Sequence, residues 1–370
     1  MLTISTIKAD VGSIGGHTRP SNRMIEVARS RLGGAVEKGL ITDFDVTYTG
    51  DDLCLLMIHR QGSGNADVHN LAWDVFTAAA EVAREEGLYG AGQDLLKDAP
   101  SGNVRGAGPG AAEITFDETA EERPAEPFLV FTADKCGPGA YNFPLWTVFT
   151  SPLYNAGLML PKMKPGFTFR VIDMEYAEGD RVIELVSPEE HIDLAILLRD
   201  ENRFGVQAIT SRKYPHQQVV AVSTDRLHTI AGEYKGKDDP VAIVRTQGIF
   251  PAPEEVVMPF VVAPYVAGDA RGSHTMPLMP VPINTPVTGP YCLPIVACVA
   301  YSVNKEGKLS DGVDVFGNPA WDHVRLKAQQ KAEWMRQQGF VGAAMLPMQE
   351  LEYSAFRKSL DELEQRFTVL

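Results

Sequence analysis

The chain has 370 residues, 44% hydrophobic and 22% charged, a composition that excludes a disordered tract, a collagen-like repeat and a coiled coil. Its 34 Lys and Arg against 48 Asp and Glu leave a formal net charge of -14, which repels phosphate backbones and excludes a sequence-blind nucleic-acid binder. An acidic protein of this kind binds anionic phosphates where cations stand between its carboxylates and the ligand.

Residues Met1 to Thr6 show no basic region followed by an apolar one, so no signal peptide is expected. The longest apolar stretches, 256–266 and 294–303, fall short of the roughly 20 residues that span a bilayer. The four cysteines Cys54, Cys136, Cys292 and Cys298 form no CxxC pair. Cys54 and Cys298 read as buried thiols, and the set points to a reduced compartment without a zinc ribbon or disulfide framework. The expected location is the cytoplasm, with no membrane and no nucleic-acid partner.

Leu2–Lys8 reads as a strand running into Asp10, followed by an irregular turn through Gly12, Gly15 and Gly16. Ser21 is a good N-cap for a helix that fades at Gly33-Gly34. Phe44, Val46 and Tyr48 alternate with Asp45, Thr47 and Thr49 as a half-buried strand does, and Leu53–Ile58 is a second strand after the turn Gly50-Asp51-Asp52. Val68, Leu71, Val75, Ala79 and Val82 recur at helical spacing up to a stop at Gly87.

Asp98–Pro127 is rich in Gly, Ala, Pro and acid, a loop with one short strand around Ile114–Phe116. Phe128–Thr132 is an apolar strand that delivers Asp134 and Lys135. Strands with one helix around Glu189–Arg199 fill Phe167 to Val222, and helices follow at Trp321–Gln338 and about Ser354–Phe367. No repeat or long linker divides the chain. Hairpins mixed with helices favour layered α/β with mixed sheets over a doubly wound parallel sheet.

Asp10, Asp51, Asp52, Asp134, Asp238 and Asp239 lie at strand ends and turns. Each alone is an ordinary turn acid. Brought together from several strands they repel one another unless a cation neutralises them, and an oxygen-rich set suits Mg²⁺ rather than zinc. His17 follows two glycines and is able to bind metal or phosphate. The glycine-rich run from Gly102 to Gly110 matches neither a Walker loop nor a dinucleotide fingerprint, and reads as a phosphate cradle or a flexible loop. Gly232-Glu233-Tyr234-Lys235-Gly236-Lys237-Asp238-Asp239-Pro240 reads either as a solvated charged loop or as a lysine nucleophile beside a tyrosine proton donor and two metal-binding acids.

The opening block Lys8-Ala9-Asp10-Val11-Gly12-Ser13-Ile14-Gly15-Gly16-His17 is followed in order by Gly50-Asp51-Asp52, Leu88-Tyr89-Gly90-Ala91-Gly92-Gln93-Asp94 and Ala133-Asp134-Lys135. Tyr234 to Pro240, Arg245-Thr246-Gln247-Gly248 and Leu351-Glu352-Tyr353 complete the series. Together these motifs resemble the bifunctional fructose-1,6-bisphosphate aldolase/phosphatase family of archaea and deeply branching bacteria, over nearly the entire chain.

The resemblance implies a four-layer α-β-β-α sandwich with mixed sheets, a single domain over residues 1–370, and a homo-octamer. It implies condensation of dihydroxyacetone phosphate with glyceraldehyde 3-phosphate, then hydrolysis of the C1 phosphate of fructose 1,6-bisphosphate to give fructose 6-phosphate. By the matching motifs, Asp10, His17, Asp51, Asp52, Gln93, Asp134, Asp238 and Asp239 would bind several Mg²⁺ ions. His17, Tyr89, Gly102, Asn103, Lys135, Gln247, Gly248, Arg271 and Tyr353 would hold the sugar bisphosphate, Arg271 resting on the short match Ala270-Arg271-Gly272. Lys237 would form a Schiff base, Tyr234 would exchange its proton, and Asp10 would activate water.

The acid-rich segment Asp117–Glu126 reads as a local variation in length. A rival reading is a dedicated metal-dependent sugar phosphatase in which Lys237 only binds phosphate; another is a non-catalytic metal- or sugar-phosphate-binding protein. Neighbouring side chains in an extended segment point to opposite sides, so the 232–240 loop is expected to exchange between presenting Lys237 and presenting more carboxylate.

Overall fold

Two sheets carry the molecule, and the two-residue period of side chains along each strand decides what each face meets. The structure, a computed structural model, describes residues 1–95, 108–117, 123, 125–176, 179–223, 225–226, 236–268, 275–289, 293–337 and 356–370. The first sheet contains β1 (Leu2–Asp10), β2 (Asp43–Thr49), β3 (Asp52–His59) and β4 (Gly110–Phe116). The second begins with β5 (Ala125–Asp134), β6 (Phe167–Asp173), β7 (Arg181–Val186), β8 (Phe204–Ser211) and β9 (Gln218–Val222). The short β10 (Asp225–Arg226) crosses back to the first sheet, and β11 (Val241–Arg245) returns to lie between β5 and β9.

A separate ribbon of β12 (Tyr265–Ala267) and β13 (Thr275–Pro277) precedes β14 (Met279–Pro280), β15 (Ile295–Asn304), β16 (Val313–Asp314) and the terminal β17 (Thr368–Val369). The first sheet has the order β10-β4-β1-β3-β2; the second runs β14-β15-β5-β11-β9-β8-β6-β7-β17, with β16 beside β15. The β14–β15 pair is parallel and its neighbour β15–β5 antiparallel, so the second sheet is mixed.

The helices are α1 (Asn22–Glu37), α2 (Ala66–Glu85), α3 (Asn142–Thr150), α4 (His191–Leu198), α5 (Pro253–Val257), α6 (Asp322–Arg336) and α7 (Phe356–Glu364). Met24, Leu32, Val75 and Phe76 from α1 and α2 bury against Ile7, Leu53 and Leu55 on the outer face of the first sheet. Ile4, Leu56, Ile58 and Ile114 on its inner face pack against Phe128, Val130, Ile243 and Val299 of the second sheet. The far face of the second sheet meets Leu145 and Phe149 of α3 and Leu194 and Leu197 of α4. The layers therefore run α-β-β-α, as the resemblance implies.

Several local expectations need correction. α1 passes through Gly33-Gly34 to Glu37 because Leu32 and Ala35 are buried, which offsets the roughly 1 kcal/mol that each helical glycine costs. β4 is seven residues long and starts at Gly110, since β1 offers a full pairing edge from Lys8 to Leu2. α3 carries Pro144 and is buried on nearly every side, so it shows no amphipathic stripe to read. Cys54, Cys136 and Cys298 are buried cysteines that form no disulfide among the described residues, and Cys292 lies outside them. Among the described residues no helix is long and apolar enough to cross a membrane.

An ionic clasp ties α7 to the end of the second sheet. Arg203 donates to Asp173 at 2.9 Å and to Glu364 at 2.7 Å, and Arg181 reaches the same two acids, both at 2.9 Å. Burial works against both carboxylates, yet the two guanidiniums hold each below its ordinary pKa. A depressed folded-state pKa means stability that is present at neutral pH and lost as carboxylates protonate. The free energy of unfolding is expected to fall between about pH 5 and pH 2, with a shallower slope in Arg203→Ala. Urea titrations across that range measure it, and equal slopes in the two proteins would remove the clasp as a cause.

Candidate active site

The period of β1 places Ile4, Lys8 and Asp10 on one face, toward the second sheet, so the strand turns from apolar to charged along a single seam. Asp52 lies opposite Asp10 in the β1–β3 register and shares the inner face with Leu56 and Ile58. Across the seam, Thr132 and Asp134 follow Phe128 and Val130 on β5. Three strands thus end together with their polar residues facing one another. Lys8 Nζ bridges the sheets by donating to the Ala133 carbonyl at 2.6 Å, and the Thr49 and Thr132 hydroxyls meet at 2.6 Å.

Backbone conformation closes the seam tightly. Gly50 has φ +58°, and a Cβ there would lie 1.4 Å from Asp134 Oδ2. The turn that carries Asp51 therefore rests directly on the Asp134 carboxylate. Lys135 and Asp239 adopt φ +64° and +52°, a left-handed conformation that side-chain-bearing residues rarely hold without support from their surroundings.

The ligand atoms of Asp10, His17 and Asp51 all lie within 4.8 Å of one another, as do those of Asp51, Asp52 and Asp134. His17 Nδ1 is 3.1 Å from Asp51 Oδ2, and the Tyr89 ring stands edge-on to the imidazole at 4.9 Å. Lys135 contacts Asp51 and sits 3.0 Å from Asp134, while Lys8 contacts Asp52. Burial, with Asp51 and Asp52 nearby, pushes Asp134 up to about 7 despite Lys135, and lifts Asp10 well above the carboxylate range. Asp51 goes the other way: Lys135 and His17 outweigh its burial and hold it low.

Asp134 is wholly buried, yet neither of its carboxylate oxygens accepts a hydrogen bond. Carboxylate oxygens in this number, with one imidazole, form a hard donor set that fits divalent cations. Asp134 Oδ2, and Oδ1 beyond its 3.0 Å ion pair with Lys135, are donors that such a cation would satisfy.

Lys237 follows Gly236, whose φ is +70°, and its side chain crosses Gly110, where a Cβ would lie 2.8 Å from Lys237 Cγ. The buried ammonium is 2.8 Å from Asp238 and 3.1 Å from Asp94, and Asp94 also accepts the Asp10 backbone N–H at 2.9 Å. Burial opposes the charge on Lys237, but Asp238 and Asp94 outweigh it and raise the amine above the lysine range. Asp94 itself is pushed by burial to about 7. Asp239 accepts the Cys136 N–H at 3.0 Å, which fixes the turn after β5 to the 236–240 segment.

Asp10, His17, Asp51, Asp52, Asp134 and Lys135 therefore meet in one cluster, with Tyr89 beside His17. Lys237 and Asp238 join it through Asp94, the neighbour of Gln93. Gln247 and Gly248 do not: Arg245, at the end of β11, pairs with Phe128, so they lie on the order of 20 Å along the sheet from Asp134. Gly102, Asn103, Tyr234, Arg271 and Tyr353 lie outside the described residues. Sequence reasoning gave no role to Lys8 or Asp94. Lys8 was visible as the residue two before Asp10 on the same strand face, and Asp94 as the acid next to Gln93.

A two-sheet sandwich whose seam ends in carboxylates and buried amines is what this chain presents, and its class is a phosphatase: the fructose-1,6-bisphosphatase family model matches residues 1–368, and the chain belongs to that family. Curated relatives named fructose-1,6-bisphosphate aldolase/phosphatase include one from Thermus thermophilus, 53% identical over 99% of both chains. Others are from Cenarchaeum symbiosum, 45% identical over 100% of this chain and 95% of the relative, and Thermococcus kodakarensis, 45% identical over 99% and 97%.

Gly50→Ala places a methyl group on the Asp134 carboxylate and strains a left-handed turn. It is expected to weaken divalent-cation binding by roughly ten- to hundredfold, read by calorimetric titration with Mg²⁺ or Mn²⁺. Asp51→Asn and Asp52→Asn should lose phosphate release from fructose 1,6-bisphosphate while the melting temperature changes little. Full activity of both Asn variants at limiting Mg²⁺ would detach the turn from the chemistry.

Proposed function

We propose that the protein is a bifunctional gluconeogenic enzyme that joins dihydroxyacetone phosphate and glyceraldehyde 3-phosphate through a Schiff base on Lys237 and hydrolyses the C1 phosphate of the resulting fructose 1,6-bisphosphate. The observation that carries this reading is the placement of a buried amine, Lys237, beside a cluster of buried carboxylates whose mutual repulsion divalent cations would relieve. Mg²⁺ ions held by Asp10, His17, Asp51, Asp52 and Asp134, with Gln93, Asp238 and Asp239 as further ligands, would polarise the phosphate ester and acidify an attacking water. Lys135 and Tyr89, beside Asp51 and His17, would hold a phosphate group of the sugar, with Gly102, Asn103, Arg271 and Tyr353 as further contacts. Asp10 would accept the proton of the attacking water and Tyr234 would exchange the proton of the imine step. We read the whole chain as one domain working in the cytoplasm.

Lys237 adds to a carbonyl only as a neutral amine, and in this structure Asp238 and Asp94 hold it charged. Release of Asp238 from Lys237, with Gly236 as the hinge, would free the amine for the aldol step and turn a carboxylate toward the cations for hydrolysis. The locked ammonium also favours a second reading, a phosphatase in which Lys237 only binds phosphate. Lys237→Ala separates the two. It should abolish carbon–carbon bond formation and borohydride trapping of dihydroxyacetone phosphate, yet retain part of fructose 1,6-bisphosphate hydrolysis. Aldol activity unchanged in the variant would leave the phosphatase reading alone.

Gln247 and Gly248 contact the same substrate only if a second copy of the chain brings them to the cluster, which supports a homo-oligomer and agrees with the octamer that the resemblance implies. Co-expression of Lys237→Ala with Gln247→Ala should then restore aldol activity, at substrate concentrations below KM, that neither variant shows alone. No gain over the separate preparations would argue against a shared site.

A further inference from the structure

Gln247 and Gly248 form an exposed turn on a buried base, closed by the Gln247 N–H to the Pro251 carbonyl at 2.9 Å and the Phe250 N–H to the Gln247 carbonyl at 3.2 Å, and the side chain that braces it is Arg123. Gln247 has φ +66° and Gly248 φ +72°, so a residue with a side chain sits in a left-handed conformation at the tip. Arg123 Nη1 donates to the Gln247 carbonyl and Nη2 to the Thr246 carbonyl at 2.7 Å, so one guanidinium spans two successive peptide groups. Its Nε and Nη2 take the Glu126 carboxylate at 2.9 and 2.7 Å.

Glu126 Oε1 also accepts Arg245 Nε at 2.8 Å, and Arg245 Nη1 reaches the Gln218 carbonyl at 2.8 Å. Both guanidiniums lie over the Phe250 ring, at 5.1 and 4.7 Å. Contact is close enough that a Cβ on Gly248 would come within 2.8 Å of Arg123 Nη1. The acid-rich 117–126 segment is thus more than a variation in length, because it supplies both halves of this grip.

We propose that Arg123 is a positioning residue for the sugar bisphosphate: it sets the Gln247–Gly248 turn in the shape that contacts substrate bound at a neighbouring protomer's cluster. The inference rests on the reading of that turn as substrate-binding. Four of the five guanidinium N–H groups are engaged within the chain, so Arg123 acts through the turn and not on the substrate itself. Glu126 is what makes the arrangement tolerable, since without its carboxylate two guanidiniums would face each other over one ring. A lysine keeps the charge but lacks the planar fork that holds two carbonyls and a carboxylate together.

The test is the kinetics of fructose 1,6-bisphosphate hydrolysis in Mg²⁺ for Arg123→Ala, Arg123→Lys, Gln247→Ala and the Arg123→Ala/Gln247→Ala double variant. Arg123→Ala is expected to raise KM roughly ten- to hundredfold with kcat unchanged, because binding of the remote phosphate is lost and the metal cluster is untouched. Arg123→Lys, which retains the partner for Glu126, should fall between the parent and Arg123→Ala. The double variant should be no worse than the poorer single one, as expected for residues acting as a unit. Unchanged KM in both Arg123 variants, with KM raised in Gln247→Ala, overturns the positioning role and leaves the turn's reading intact. A lower melting temperature with unchanged KM is a structural role alone and overturns it equally. Unchanged KM in Gln247→Ala overturns the reading of the turn, and the inference with it.

Discussion

Mutual repulsion of carboxylates in a buried seam is the constraint on which the rest of this structure depends. Asp10, Asp51, Asp52 and Asp134, with Asp94 and Asp238 close by, sit where the two sheets end together, and burial deprives them of the water that would screen their charge. Lys8, Lys135 and Lys237 answer part of that charge from within the chain. The remaining acids form a donor set of the kind that holds divalent cations. Local features fall into place around it: the bare backbone of Gly50 against Asp134, the bare backbone of Gly110 under Lys237, and the left-handed turns at Lys135 and Asp239.

The sandwich supplies the rigidity that such an arrangement needs. Ile4, Leu56, Phe128, Val130 and Ile243 interlock along the seam, so the strand ends that carry Asp10, Asp52 and Asp134 cannot drift apart without opening a core between two sheets. Lys237 and Asp238 belong to a different class. They arrive on a segment that enters β11 through Gly236, and they are held by ion pairs instead of strand pairing. A rigid set of carboxylates thus stands beside a lysine held by ion pairs alone.

The far end of the second sheet also buries charge beside charge. Glu126 is shared by Arg245 and Arg123, both guanidiniums lie over Phe250, and the turn above them is exposed and conformationally fixed. That turn lies well away from its own chain's cluster, so any joint use of the two ends depends on assembly of copies, and the buried charges become a means of presenting a surface.

The strands β1 to β5 were legible in the sequence because their patterns are local: Phe44, Val46 and Tyr48 announce β2 without reference to any partner, whereas β11 and β15 in the second sheet were not read as strands. The N-cap at Ser21 and the stop at Gly87 are legible for the same reason. α3 was not, since a helix buried on nearly every side has no polar face to mark its period, and the length of β4 was set by the edge of β1 and not by its own composition. Among the site residues, the acids at strand ends could be picked out as a class from sequence. Which of them share an ion, that Asp94 and Lys8 are their partners, and that Gln247 and Gly248 lie elsewhere were decided by strand register. The sequence by itself determined the alternation, the turns and the kinds of donor atoms, which are properties of neighbouring residues. Only the tertiary structure decided which carboxylates face each other across the seam, because electrostatic coupling falls with distance in space and is blind to distance along the chain.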